Sequence, residues 1–204
     1  MLDFEDQYYS DEVKYIVGID EAGRGPLCGP VVAACCILKP NYKNEIINDS
    51  KKLTEKQREI AYKEIIENCI DYGVGIISPA RIDEINILEA TKEAMKIALS
   101  QLKAPYDLIL IDAVKLQDTS KPVIPLIKGD AKCECIAAAS IIAKVTRDHI
   151  LEEYAKKYPQ YGFDKHKGYG TKKHIEAIEK FGIIKDFYRL TFEPVKSMVK
   201  NKKI

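Results

Sequence analysis

Apolar positions along this chain fall into two periods, one of strands and one of helices. Lys14–Asp20 (KYIVGID) is a short β-branched run, and Val31–Leu38 is a second that ends at Lys39-Pro40, so both predict buried strands. From Ser50-Lys51-Lys52-Leu53-Thr54 a helical pattern continues to Cys69, with Ile60, Ile65, Ile66 and Cys69 roughly on one face. Thr54 with Gln57 makes a capping box at its start. Tyr72–Ser78 predicts a third strand, stopped by Pro79. Arg81–Lys103 carries a recurring stripe of Ile85, Leu88, Met95, Ala98, Leu99 and Leu102 and predicts one long helix ended by Pro105. Asp107–Ile111 is a continuous apolar strand of the kind found inside a covered sheet, and Val123–Ile127 is a short further strand between prolines. Ala131–Tyr158 predicts a long helix whose first half, CIAAASIIA, is small and apolar nearly all round and therefore buried. Two shorter helices follow, at Thr171–Phe181 and Pro194–Lys200.

Strands first, then strands alternating with helices, imply an α/β protein with a mixed sheet covered by helices. The 204 residues suit one domain with an appendage, and 46% hydrophobic with 31% charged residues exclude a disordered or low-complexity chain. The division expected is an acidic leader over residues 1–13, a catalytic body over 14–155 and a basic helical region over 156–204 packed on the body. The leader reads as loose, since its first twelve residues carry five acids and no base. It lacks the apolar core of a signal peptide, and no apolar run approaches the ~20 residues that span a bilayer, so a cytoplasmic protein is expected.

Net charge is +1, which by itself argues against a nucleic-acid partner, but the charges are segregated. Residues 156–204 hold 13 basic and 5 acidic groups, +8, against −7 over the rest. That asymmetry fits a footprint for a polyanion, and fits equally a solvated lysine-rich helix pair. The six cysteines form no C-x-x-C pair and only three histidines are present, which disfavours zinc.

The chemistry concentrates where apolar strands end in carboxylates. Gly18-Ile19-Asp20-Glu21-Ala22-Gly23-Arg24-Gly25-Pro26 places two acids directly after a strand, and a buried Asp20 is costly unless paired, protonated or bound to a cation. The same residues also read as a strand end with capping acids and a tight Gly-Pro turn. The glycine spacing is that of a phosphate loop, without the Lys and Ser/Thr that such a loop needs. Asp112 ends DLILID, and Asp130 precedes the long helix, where an aspartate also serves as an N-cap. Three or four acids without sulfur or imidazole suit Mg²⁺ or Mn²⁺, and two such ions are standard apparatus for phosphodiester displacement. In Asp164–His174 lysines surround Tyr169, whose glycine neighbours leave a face open for stacking. A half-buried turn tyrosine is the plainer reading, and His166 and His174 are expected to be surface or phosphate-neighbouring residues.

Taken together, GIDEAGRGPLCGPVVAA, DSKKL, NILEATKEAM, LILIDAVKL, KGDAKCECIAAASIIAKVTRD and HKGYGTKKH resemble the prokaryotic ribonuclease HII family, in order over residues 15–195. Arg24, where the HIII branch carries a lysine, favours HII. The resemblance implies an RNase H-like mixed sheet flanked by helices, with a C-terminal helical appendage. It implies an endonuclease that cuts the RNA strand of RNA–DNA hybrids and incises DNA 5′ of an embedded ribonucleotide, leaving 3′-hydroxyl and 5′-phosphate ends. Asp20, Glu21, Asp112 and Asp130 match the family acids that hold two Mg²⁺ or Mn²⁺ ions, with Asp20, ending the central strand, as the bridging ligand. Gly23, Arg24 and Gly25 match the loop that reads the 2′-hydroxyl and junction phosphate, amides to the phosphate and carbonyls to the hydroxyl. Tyr169 matches a tyrosine that stacks on the following deoxyribose, and Lys51 or Lys52 a lysine near the backbone. The chain departs from the family at Tyr188-Arg189-Leu190-Thr191-Phe192, where His-Arg-x-Ser-Phe is usual; this leaves the segment only packing and backbone contact. A monomer is expected, with the C-terminal KNKKI as a candidate contact for a replication clamp. The alternative is a non-catalytic binder of hybrids or junctions, which a missing acid would mark; none is missing.

Overall fold

In the computed structural model, which describes residues 2–48 and 50–201, one five-stranded sheet separates two apolar layers. The strands are β1 (Ile16–Ala22), β2 (Val31–Ile37), β3 (Asp71–Ile77), β4 (Leu108–Asp112) and β5 (Val123–Leu126), in the order β3-β2-β1-β4-β5. β2 runs antiparallel to both β1 and β3, while β4 runs parallel to β1 and to β5, so the sheet is mixed. The helices are α1 (Glu55–Asn68), α2 (Pro79–Ile85), α3 (Ile87–Ser100), α4 (Glu134–Lys157), α5 (Phe163–His166), α6 (Lys172–Phe181) and α7 (Val195–Lys200). Among the described residues no helix is long and apolar enough to cross a membrane.

The two-residue period of the strands decides what each face buries. Ile16 of β1, Val32, Ala34 and Cys36 of β2 and Leu108 and Leu110 of β4 face α1 and α4. Val17, Ile19, Ala33, Cys35, Ile109 and Ile111 face α2 and α3. Gly18 lets α4 cross directly over β1, because a Cβ there would lie 2.2 Å from the carbonyl carbon of Cys135. The β1–β4 ladder pairs Ile16 with Leu108 and continues to Ile19 with Ile111, so the next step sets Asp20 beside Asp112 on the α4 face. Asp20 thus lies two residues inside the end of the central strand, not at its terminus.

Three local expectations change. The single helix over Arg81–Lys103 is two helices, broken at Asn86, whose φ of 70° leaves the helical region and whose side chain caps Leu88 and Glu89. Pro79 opens α2 at its first turn instead of only ending β3. The leader is not loose: Phe4–Tyr8 forms a 3₁₀ turn, the Phe4 amide donates to the Lys132 carbonyl at 3.1 Å, and Glu5 is 3% exposed, accepting from the Cys135 amide. It docks because α4 has no side-chain N-cap of its own, and Glu5 supplies one from a distant part of the chain. The helix expected from Ser50–Thr54 to Cys69 forms as α1, but Ser50–Leu53 is a turn outside it and Thr54 is its N-cap, with both halves of the Thr54–Gln57 capping box in place.

Candidate active site

Asp20 is delivered by β1, Asp112 by the end of β4, and Asp130 by the 3₁₀ turn Gly129–Ala131 before α4. Asp130 does not cap α4, whose N-cap is Cys133. Each of the three offers a carboxylate oxygen within 4.8 Å of the others. Asp20 accepts the Glu21 amide at 2.8 Å and a hydrogen bond from Ser140 of α4, whose hydroxyl lies 2.9 Å from that of Ser50. Asp112 accepts the Gly129 amide at 2.9 Å, which ties the end of β4 to the turn carrying Asp130. Asp130 pairs with Lys51 at 3.0 Å.

Glu21 stands outside that group of three. Its Oε1 pairs with Arg24 at 3.4 Å, while its Oε2 is buried without a hydrogen-bond partner. Burial and then the Glu21 charge push Asp20 well above the ordinary carboxylate range. Burial raises Asp112, opposed by the Gly129 amide and reinforced by Asp130. Burial likewise raises Glu21 in spite of Arg24. Carboxylates crowded out of water in this way are relieved by a cation.

The donor set fits a hard divalent ion. It is all oxygen, with no cysteine or histidine in the group, and the neighbouring Glu21 Oε2 is buried without a partner, which costs about 1–3 kcal/mol unless something binds it.

A cleft of about 260 Å³ opens beside Glu21, and Gly23, Arg24, Gly25, Lys51 and Tyr169 all line it. Lys52, exposed on the same turn, does not. Gly23 has φ +93°, and a Cβ there would lie 2.1 Å from the Arg147 Nε, so no other residue fits. Tyr169 is 49% exposed with its ring edge 3.5 Å from where a Cβ on Gly25 would lie. A larger groove, about 640 Å³ along α3 between Arg81 and Lys115, contains none of the clustered acids.

Sequence reasoning missed several residues here. Ser50, Arg58, Ser140 and Lys144 line the cleft as well. Arg58 donates to the Ser50 and Leu53 carbonyls and so fixes the turn carrying Lys51. Lys144 pairs with the buried Asp148 at 2.6 Å. Arg147 and Arg189 are 1% and 0% exposed. Arg189 stands among large apolar residues in Phe187-Tyr188-Arg189-Leu190, which was an available signal, whereas the polar surroundings of Arg147 in Lys144-Val145-Thr146-Arg147-Asp148 offered none. The histidine expectation is corrected: His174 is fully buried and stacks on His166 with ring centroids 4.2 Å apart. The Tyr169 carbonyl can only accept, so His174 Nδ1 donates to it at 2.8 Å and Nε2 accepts from the Tyr188 hydroxyl at 2.8 Å. Both rings anchor the Tyr169 turn and neither faces the cleft.

The Ribonuclease HII family profile matches residues 17–195. The chain is 57% identical over 192 residues to the ribonuclease HII of Ruminiclostridium cellulolyticum, covering 94% of this chain and 75% of that protein. Among solved structures it is similar to the ribonuclease H2 of Pyrococcus horikoshii, with TM-score 0.79, 30% identity, 92% of this chain and 98% of the other. It is also similar to the ribonuclease HII of Archaeoglobus fulgidus solved as a complex with PCNA, with TM-score 0.73, 28% identity, 88% of this chain and 95% of the other.

Proposed function

The chain belongs to the ribonuclease HII family, endonucleases that act on RNA–DNA hybrids, and from that premise we propose that it also incises DNA duplexes on the 5′ side of an embedded ribonucleotide, leaving 3′-hydroxyl and 5′-phosphate ends. One observation carries the reading: three carboxylates converge within 4.8 Å at the margin of a cleft that also holds the Gly23–Gly25 loop, Lys51 and Tyr169.

Asp20, Asp112 and Asp130 would hold the divalent metal of this family, with Glu21 as the fourth acid. In this proposal two ions of Mg²⁺ or Mn²⁺ are used, and the chemistry they supply is Lewis-acid polarisation of the phosphoryl oxygens and of the attacking water. The remaining work falls to the chain. Lys51, paired with Asp130, is placed to exchange part of that contact for a substrate phosphate. The backbone of Gly23, Arg24 and Gly25 reads the 2′-hydroxyl, the group that separates RNA from DNA, together with the adjacent phosphate. Tyr169 stacks on the sugar that follows. Asp20, buried and hydrogen-bonded by the Glu21 amide and Ser140, would be the ligand common to both ions.

The protein acts as a cytoplasmic monomer in this reading. The complex of the A. fulgidus relative with PCNA supports a clamp contact through the C-terminal KNKKI, of which residues 202–204 lie outside the described residues. A purely binding role is disfavoured because all four acids are present.

The test is a labelled duplex with one ribonucleotide, incubated with Mg²⁺ or Mn²⁺ and with EDTA. Metal-dependent nicking immediately 5′ of the ribonucleotide is the expected result, and nicking that persists in EDTA would overturn the metal assignment. Asp20→Asn should bind the duplex yet lose more than the roughly 10–100-fold typical of a residue that only supports a ligand. Full activity of that variant in Mg²⁺ would remove Asp20 from the site.

A further inference from the structure

Arg189 belongs to the segment that departs from the family pattern, and it is completely buried. Every hydrogen bond its guanidinium makes, among the described residues, ends on a backbone carbonyl of residues 23–29. Nη2 donates to Gly23 at 2.6 Å and to Gly29 at 2.9 Å, Nη1 to Arg24 at 3.1 Å and Pro26 at 2.9 Å, and Nε to Gly29 at 3.1 Å. Arg147 performs the matching task at the far end of the loop, donating to the Cys28, Pro30 and Lys167 carbonyls. Backbone pairing holds Arg189 itself in register: its amide donates to Leu27, and the Gly29 amide donates to Phe187.

A trans peptide points its C=O and N–H in opposite directions. When Arg189 draws the Gly23 oxygen inward, the Arg24 amide of that same peptide is aimed outward. Drawing in the Arg24 oxygen does the same for the Gly25 amide. Residues 24 and 25 are exposed, and neither amide donates to any group among the described residues. Two successive outward amides form an anion-binding concavity, and a buried guanidinium lies behind them. The Gly25 carbonyl is the one oxygen of residues 23–25 that Arg189 leaves alone.

Resting on the proposed role of this loop, we propose that Arg189 is its positioning residue: by holding the Gly23 and Arg24 carbonyls it presents the Arg24 and Gly25 amides to the junction phosphate and leaves the Gly25 carbonyl for the 2′-hydroxyl. The loop carbonyls do not all serve the ribose, because two of the three are engaged within the protein. The conservation of charge alone is insufficient for this task, since a lysine cannot span four carbonyls with a planar fork.

The experiment compares Arg189→Lys, Arg189→Ala and Gly25→Ala with the wild type on a duplex carrying one ribonucleotide. It reads kcat and KM separately, thermal unfolding, and the ¹⁵N–¹H signals of the loop. Arg189→Lys, where folded, should lose about 10²-fold in kcat/KM, as expected for a small misplacement of a recognising group. Its Arg24 and Gly25 amide signals should move while those of Gly18 and Gly75 in the sheet do not. Millimolar guanidinium should restore at least tenfold of the Arg189→Ala loss, and methylammonium should not. A folded Arg189→Lys with wild-type kcat/KM and unmoved loop amides overturns the proposal. If the Arg189 variants do not fold, the wild type still decides: titrated with the duplex in EDTA, its Arg24 and Gly25 amides must shift and its Gly29 amide must not, and their failure to shift overturns the proposal. Gly25→Ala separates the two ideas, because its added Cβ fits the free protein at ordinary contact with the Tyr169 ring, 3.5 Å away, and in the proposed role of the loop would stand against the approaching sugar. An unimpaired Gly25→Ala sinks the reading of the loop itself. An impaired Gly25→Ala beside an unimpaired, folded Arg189→Lys sinks only the role of Arg189.

Discussion

Tyr169 leaves half its surface in the cleft while its backbone is fixed from behind, its amide on His166 and its carbonyl on His174. A ring held this way can stack without first losing its own freedom, and stacking of this kind contributes about 1–3 kcal/mol. Tyr169→Ala should therefore cut cleavage at an isolated ribonucleotide by roughly 5- to 150-fold. Cleavage within a long hybrid should fall less, because many other contacts hold that substrate. Equal losses on the two substrates, measured as kcat/KM, would make the residue a structural one. The acids behave differently: Asp20 and Asp112 are held by the backbone amides of Glu21 and Gly129, so their arrangement does not depend on substrate.

Among the elements, α6 is joined to the Tyr188–Phe192 segment by a hydrogen bond from the Tyr188 hydroxyl to His174 Nε2. Burial pushes the His174 pKa down to about 4, against the pull of the Tyr169 carbonyl. A depressed pKa means that the unfolded chain takes up a proton that the folded chain refuses. The stability it contributes is complete above pH 6.5 and is lost as the pH falls toward 4. Tyr188→Phe leaves that buried nitrogen without a donor and should cost about 1–3 kcal/mol in urea unfolding at pH 7.5. Cleavage should suffer less than in Tyr169→Ala. A variant as stable as the wild type would show that the ring, and not the hydroxyl, does the anchoring.

Across the whole molecule, the first residues of the chain reach the turn that carries a candidate metal ligand. Glu5 accepts the Cys135 amide, five residues beyond Asp130, and burial raises its pKa to about 7 against the opposing amide. A raised carboxyl pKa has the opposite sign from that of His174: the folded state holds the proton more tightly, so stability falls as pH rises from 4.5 to about 7. Glu5→Gln should be close to wild type at pH 5 and more stable by about 1–3 kcal/mol at pH 8, with urea unfolding as the measurement. An identical difference at both pH values would show that the carboxyl does not titrate in that range. Charge is also organised at this scale, with a basic C-terminal region set against an acidic body whose acids include the four at the site.

Strand and helix content was legible because periods of 2 and 3.6 are local properties: KYIVGID, DLILID and CIAAASIIA lie where their patterns place them. The acids were legible one at a time, each as a carboxylate ending or following an apolar run. Their convergence was not, because it depends on the register of β1 against β4 and on the Asp112–Gly129 bond, which join residues far apart in the chain. The break at Asn86 and the docked leader escaped for a related reason. A single residue at positive φ leaves no mark on a hydrophobic stripe, and a buried acid looks like any other acid until its helix terminus is known. Sequence alone therefore determined the elements, the acidic chemistry and the family. Tertiary structure decided which acids share oxygen neighbours, which lysine reaches them, and that two buried arginines orient the loop, because hydrogen bonds to backbone carbonyls carry no residue-type signature at the acceptor.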